Sequence, residues 1–336
     1  MRIIWLVVTA AVCHLTDKTT KNCKVGGLLR STRKQFNLKK FYQKSTTAWS
    51  LPVVSSDQVS DEALARACQI IHFMLSDRAD VRDRLLQFGK KFAVLGEHEV
   101  ITATPEYKRL YNTISRPVRG IGGTVDRPLT IGPEENLLCG TRDQYHEDIF
   151  IHEAAHGIHL VGGGAIRNLM PAVQSAYEQA MSASLWRNTY ASVNLMEYFA
   201  EGVQSFFNAD GLEIEDQGPE GGDHYVNDIS TRSKLATYDF QLYYLISRLF
   251  PCGNFGPKRC EPITKKFTYA SDCQVVPNKL GLALAPGEEV TVFELDKNIW
   301  PQETCDKLKC GLSSSNYSTV LRNCLKDCLI KVDTDY

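Results

Sequence analysis

Five consecutive residues at positions 152–156, with the sequence HEAAH, are the best candidates for chemistry in this chain. Residues four positions apart lie on one face of a helix, so His152 and His156 can bind the same zinc ion. Glu153 then flanks the ion, where a carboxylate can act as a general base. The pattern predicts the centre of a zinc hydrolase. The alternative is that the two histidines lie on a solvated helix and bind no metal.

His159 lies three residues beyond His156 and is a further histidine to consider. It cannot join both other imidazoles around one tetrahedral ion without unwinding the helix. We therefore predict that it packs in the core or supports a ligand. The elongated motif with glycine three and histidine six residues after His156 is absent, because those positions hold His159 and Gly162.

A second apolar segment offers a carboxylate as the third ligand. Glu197 and Glu201 are four residues apart in a run that continues to Phe207. Burying two carboxylates on one helix face is costly unless a metal or hydrogen bonds compensate them. The competing interpretation is a capping box, in which Asn194 caps the helix and Glu197 reaches back to its N–H. Glu201 would then be the ligand.

The combination of HEAAH with a later Tyr190, Glu197 and Glu201 resembles the catalytic domain of anthrax toxin lethal factor and related gluzincin-type zinc endopeptidases. The similarity covers about residues 61–249. It implies a zincin-like fold, a Zn²⁺ cofactor, and a protein or peptide substrate. It also implies that the zinc ligands are His152, His156 and Glu197.

The same resemblance implies three further roles. Glu153 would be the general base, Glu201 would accept a hydrogen bond from a ligating histidine, and Tyr190 would donate near the metal. Residues 119–122 and 134–139 resemble the strand and the loop that precede the metal helix in this group.

The N-terminus has the composition of a secretory signal peptide. One basic residue, Arg2, precedes a short apolar run that ends with small residues at Ala11 and Cys13. The run is too short for a membrane span, which needs about 20 apolar residues. We predict a signal peptide over residues 1–13, a secreted protein, and no membrane-spanning segment elsewhere.

The predicted secretion determines how the cysteines are interpreted. Removal of Cys13 leaves ten of the 11 cysteines, an even number that favours disulfides in an oxidising compartment. Cys68 and Cys139 lie alone in the central region, so we predict that they pair. Seven cysteines and the sequon at Asn316 fall in residues 251–336, a cysteine-rich region in which spacing disfavours a structural zinc site.

Residues 14–60 precede the predicted catalytic domain at 61–250, and positions 18–44 are rich in lysine and arginine. Such runs are usually solvated arms. A propeptide is the alternative, with processing at Lys39 and Lys40. Cys23 could then block the zinc as a thiolate, but cysteine parity favours a disulfide for this residue.

Spacing of apolar residues predicts an α+β fold, mainly helical with a small sheet. A helix begins at Asp61, and further helices are predicted at residues 166–186, 194–208 and 234–250. The predicted strands cover residues 91–95, 99–104 and 123–131. Pro128 marks the last as an edge strand, to which an extended substrate can add by backbone hydrogen bonds.

Composition agrees with a folded enzyme. The chain of 336 residues is 43% hydrophobic and 23% charged, with a formal net charge of −1, so it offers no global attraction to nucleic acid. We predict a secreted zinc metalloendopeptidase. The alternative is a non-catalytic binding or toxin-like protein that keeps the metallopeptidase scaffold.

Overall fold

The computed structural model describes residues 23–76, 78–110, 118–143, 147–210, 229–250 and residue 260. The predicted signal peptide, the sequon and the cysteine-rich region other than Cys260 lie outside these residues. The described part is α+β, as predicted, with nine α-helices and one five-stranded sheet. None of its helices combines the length and the apolar character needed to cross a bilayer.

The sheet is mixed and follows the chain order. Its strands are β1 (Gly26–Gly27), β2 (Lys44–Ala48), β3 (Leu51–Ser55), β4 (Lys91–Leu95) and β5 (Leu129–Pro133). The first three strands pair antiparallel, whereas β3, β4 and β5 pair parallel. Beyond β5, Ile121 forms one antiparallel bridge with Ile131. Residues next to Ile121 therefore form the outer edge of the sheet on that side.

Residues 26–27, 44–48 and 51–55 of the segment before Asp61 form strands of this sheet, whereas the composition of the segment had suggested a solvated arm. Its strands β2 and β3 form a hairpin whose turn residues, Trp49 and Ser50, both have positive φ (52° and 68°). Lys44 pairs with Asp61 at 2.9 Å, so its charge stays at the margin of the fold. Because this segment is rich in lysine and arginine, its strands were not predicted from the sequence. Processing at Lys39 and Lys40 remains a prediction.

Nine α-helices lie within the described residues. They are α1 (Arg30–Gln35), α2 (Asp61–Met74), α3 (Ala79–Gln87), α4 (Glu134–Leu137), α5 (Ile149–Gly157), α6 (Leu169–Ser182), α7 (Leu195–Phe206), α8 (Arg232–Tyr238) and α9 (Phe240–Leu249). The predicted helix at Asp61 and strand at 91–95 are confirmed. The predicted strand at 99–104 is wrong, because Ile101–Ala103 form a 3₁₀ turn. The predicted helix at 234–250 is divided at Asp239, whose carboxylate caps α9.

Alternation along the strands gives the sheet two apolar faces. Val53, Phe92 and Val94 belong to the main core together with buried residues of α2 and α5. Val54 and Ile131 belong to a smaller cluster on the opposite face. Helix α5, which contains HEAAH, therefore packs on the main-core face of β5, where Gly132 leaves room for Phe150.

Two disulfides correct the predicted Cys68–Cys139 pair. Cys23 bonds to Cys68, and Cys139 bonds to Cys260, with Cα–Cα distances of 5.7 Å and 5.4 Å. Cys68 lies on α2 against β2, on the side where the chain enters the sheet, which explains its partner. The same bond occupies the Cys23 thiol and removes the zinc-blocking role considered for it.

Candidate metal centre

Helix α5 places the two histidines of HEAAH on one face. The Asp148 carboxylate accepts a hydrogen bond from the Ile151 N–H at 3.0 Å and caps the first turn. The Nε2 atoms of His152 and His156 are 3.0 Å apart, and the two rings lie edge to face with centroids 4.6 Å apart. Both side chains are buried. The local helix therefore aims two nitrogen donors at one point.

Helix α7 brings a carboxylate to the same point. The Oε2 atom of Glu197 lies 3.0 Å from His152 Nε2 and 3.2 Å from His156 Nε2. Asn194 does cap this helix, because its Oδ1 accepts from the N–H groups of Met196 and Glu197. The Glu197 carboxylate nevertheless contacts the imidazoles. The helix cap and the metal candidate therefore coexist.

Three ligand atoms from His152, His156 and Glu197 lie within 4.8 Å of one another. Two imidazole nitrogens and one carboxylate oxygen form the set that catalytic zinc sites use, with one further coordination position left for water or substrate. Burial alone would raise the pKa of Glu197, but hydrogen bonds to His152 and then His156 outweigh it and lower the pKa to about 2. The donor set fits zinc.

A buried layer behind His152 orients its ring. Its Nδ1 atom lies 2.8 Å from Gln204 Oε1 and 3.3 Å from Glu201 Oε1. Such contacts fix the tautomer and the ring direction of a metal-binding histidine. Glu201 was predicted for this position, whereas Gln204 was not. Its place three residues after Glu201, on the same side of a helix, was the available signal.

Glu153 lies next to the histidines with its carboxylate partly exposed. Burial raises the pKa of this carboxyl, and the nearby His152, His156 and Lys90 act in the opposite direction. A Cβ added to Gly120 would lie 2.5 Å from Glu153 Oε1. The glycine therefore lets the backbone of the outer sheet edge approach the carboxylate closely.

Tyr190 lies near His152, in the 3₁₀ turn Tyr190–Ser192 that precedes α7. The two ring centroids are 6.3 Å apart, and the tyrosine is 43% exposed. Burial and then the charge of Glu197 raise the pKa of its hydroxyl to about 12. The hydroxyl is therefore protonated at neutral pH and able to donate a hydrogen bond into the open side of the centre.

His159 packs in the core, as predicted, and lies apart from the three donors. Its ring stacks on Phe199 with centroids 4.0 Å apart, and the side chain is fully buried. Burial lowers its pKa to about 3, so the ring is neutral at physiological pH.

Residues 118–123 border the centre on the sheet side. The N–H and C=O of Ile121 both bond to Ile131, at 3.1 Å and 2.8 Å. Arg119 forms a bidentate ion pair with Glu135, in which Nε–Oε1 and Nη2–Oε2 are both 2.7 Å. The strand expected at 119–122 is thus a single bridge, and the expected loop after it begins as α4. The bridge holds this segment against β5, and the ion pair holds it against α4.

The chain matches no protein-family model and no curated protein sequence. The resemblance to the lethal factor-like domain therefore stays a prediction. Among solved structures, the chain is similar to the Pro-Pro endopeptidase PPEP-2 from Paenibacillus alvei, with 16% identity and a TM-score of 0.35. The match covers 55% of this chain and 91% of that one. So slight a likeness carries no functional argument.

Proposed function

We propose that this protein is a zinc-dependent endopeptidase of the gluzincin type. The observation that supports it best is the convergence of His152 Nε2, His156 Nε2 and Glu197 Oε2, with Glu153 beside them. These three residues would hold the ion. When bound, zinc polarises the scissile carbonyl and lowers the pKa of a bound water to about 7.

Glu153 is the general base in this proposal. Its carboxylate accepts a proton from the attacking water and then delivers that proton to the leaving amine. Partial exposure of the residue lets substrate and water reach it. Burial raises the pKa of its carboxyl despite the opposing charges of His152 and His156, which makes the carboxylate a stronger proton acceptor. Glu201 and Gln204 keep His152 oriented throughout.

Tyr190 is the proposed donor to the oxyanion that develops on the scissile carbonyl. Its hydroxyl is protonated at neutral pH, and the residue is 43% exposed, so a bound peptide can reach it. The ring lies 6.3 Å from that of His152, centroid to centroid, within reach of a substrate held at the centre.

The outer sheet edge offers an extended peptide a place to bind. Ile121 directs both of its backbone groups at β5, so in an extended chain those of Gly120 point away from the sheet. Within the described residues, the N–H and C=O of Gly120 make no hydrogen bond, although the residue is buried. A substrate strand that pairs here would lie beside Glu153.

Secretion is part of the proposal. Two disulfides join distant parts of the chain, and disulfides persist in oxidising compartments. The predicted signal peptide and glycosylated sequon agree with this compartment.

The test combines metal content with cleavage. Purified protein should contain about one zinc per chain and cleave a reduced, alkylated protein substrate, and 1,10-phenanthroline should stop cleavage until zinc is restored. Glu153→Gln is the matched control. It should keep zinc and lose activity about 10²-fold to 10⁴-fold. Zinc-loaded protein that cleaves no unfolded substrate, or an equally active Glu153→Gln variant, would overturn the proposal.

A further inference from the structure

A buried lysine lies beneath the outer sheet edge. Lys90 immediately precedes β4 and is fully buried. Its Nζ donates hydrogen bonds to the Gly122 carbonyl at 2.8 Å and to Thr130 Oγ1 at 2.7 Å. Lysine is almost never fully buried unless it is paired. Burial of the Lys90 amine at this position therefore costs the fold free energy.

Thr130 extends the contact to the metal helix. Its hydroxyl donates to the Gly122 carbonyl and lies 3.4 Å from the backbone oxygen of Glu153. The amine thus joins residues 118–123, strand β5 and helix α5 through one hydrogen-bonded cluster. The cluster consists of Lys90, Thr130, Gly122 and the Glu153 carbonyl.

Gly157 explains how the helix approaches so closely. A Cβ at this position would overlap Lys90 Nζ, the Gly122 carbonyl and Thr130 Oγ1. The residue after His156 is therefore a glycine because the amine and its acceptors occupy the space that a side chain would fill.

The glycine segment touches the centre through the same geometry. A Cβ on Gly122 would overlap the His156 Cβ, and one on Gly120 would meet the Glu153 carboxylate. The backbone of residues 120–122 is thus fitted to α5, and Lys90 holds its carbonyl end. A displacement of about 1 Å in a substrate-positioning element can cost about 100-fold in rate.

We propose that Lys90 is a positioning residue, which holds residues 120–122 against the metal helix so that a bound peptide meets Glu153 at the correct distance. The inference rests on the proposed peptidase function. Lys90 itself does not touch the substrate; it acts through the Gly122 carbonyl.

Lys90→Met tests the inference, and Lys91→Met is its matched control. Lys91 is the next residue and also has little exposure, but its ammonium group pairs with Glu106 at 3.0 Å rather than with Gly122 or Thr130. Both variants remove one ammonium group from the same end of β4. Only Lys90→Met should affect the segment beside Glu153.

Three measurements apply to each variant: zinc content, amide hydrogen exchange of residues 118–123, and kcat and KM on a peptide substrate. In Lys90→Met, exchange should accelerate about 10-fold to 100-fold, as expected from the loss of the two buried hydrogen bonds that Lys90 donates. KM should rise at least about 10-fold while zinc content stays at the wild-type value. Lys91→Met should change neither exchange nor KM.

Thr130→Val provides a second variant in case Lys90→Met does not fold. It removes the hydroxyl that joins the cluster, keeps the amine, and should change exchange and KM in the same direction by a smaller factor. Wild-type exchange and KM in the folded variants would overturn the role of Lys90. Zinc-loaded wild-type protein without any cleavage would instead overturn the peptidase proposal, and hydrogen exchange would still decide the role of Lys90.

Discussion

The Nδ1 atom of His152 lies 2.8 Å from the Oε1 atom of Gln204. The Gln204 amide nitrogen donates to Glu147 Oε2 at 2.8 Å and to the Asp148 carbonyl at 3.3 Å, so the amide oxygen must face the imidazole. His152 therefore donates through Nδ1–H. With zinc bound, its Nε2 would be the ligand atom, at the point shared with His156 and Glu197.

This arrangement predicts a ranking of metal affinities. Glu197→Ala should abolish tight zinc binding because it removes one of the three donor atoms. Glu201→Ala and Gln204→Leu should each weaken zinc affinity about 10-fold to 100-fold, since they loosen only the orientation of His152. Zinc titration with a competing chelator would measure all three. Weaker binding in Glu201→Ala than in Glu197→Ala would move the ligand assignment to Glu201.

Tyr190→Phe should separate metal binding from catalysis. The phenyl ring keeps the contact with His152, so zinc content should not change. Loss of one oxyanion donor should reduce kcat by about 10²-fold to 10³-fold. Steady-state kinetics on a peptide substrate would show the effect. An unchanged kcat would exclude Tyr190 as the donor.

Non-reducing peptide mapping should join Cys23 to Cys68 and Cys139 to Cys260. The first bond closes a loop with a sequence separation of 45, for which loop entropy corresponds to about 4 kcal/mol of stability. The double variant Cys23→Ala, Cys68→Ala should therefore unfold at a clearly lower urea concentration. A peptide that links Cys68 to Cys139 would contradict the structure.

Lys90 should make stability depend on pH. Burial lowers the pKa of its ammonium group from 10.5 to about 7, while the charge of Glu153 opposes this and that of Lys91 adds to it. Between pH 7 and 10.5 the unfolded chain binds more protons than the folded one, so stability rises with pH there.

Urea unfolding of the zinc-free protein at pH 6.5 and pH 9 would test this. The free energy of unfolding of the wild type, relative to Lys90→Met, should increase by about 2 kcal/mol over that interval, given about 1.4 kcal/mol per pKa unit. Parallel pH dependence of the two proteins would show that the amine is not titrating in the fold.

Local features of the fold could be predicted from sequence. Helix α2 has regular apolar spacing and a Ser60 cap, which accepts from the Ala63 N–H, so its start depends only on neighbouring residues. The separation of the two histidines of α5 could also be predicted, because one helix fixes it. Glu197 required a second helix, and its distance along the chain from HEAAH carried no information about orientation.

Features that depend on distant contacts could not be predicted. Lys44 belongs to the run expected to be a solvated arm, yet it begins strand β2. Lys90 is fully buried, although its residue type favours the surface. The even number of cysteines predicted disulfides but did not show which cysteines pair. Gln204 has no charge to signal its role, and its contact with His152 exists only because α7 packs against α5.

The Cys23–Cys68 bond also determines what a cut in the basic segment would do. Lys39 and Lys40 are exposed and lie between the two bonded cysteines, so hydrolysis there would nick the chain without releasing the N-terminal piece. Strand β1 would stay tethered to helix α2. Maturation by such a nick would yield a two-chain protein that is heavier only by the water added in hydrolysis, and its chains would separate only after reduction.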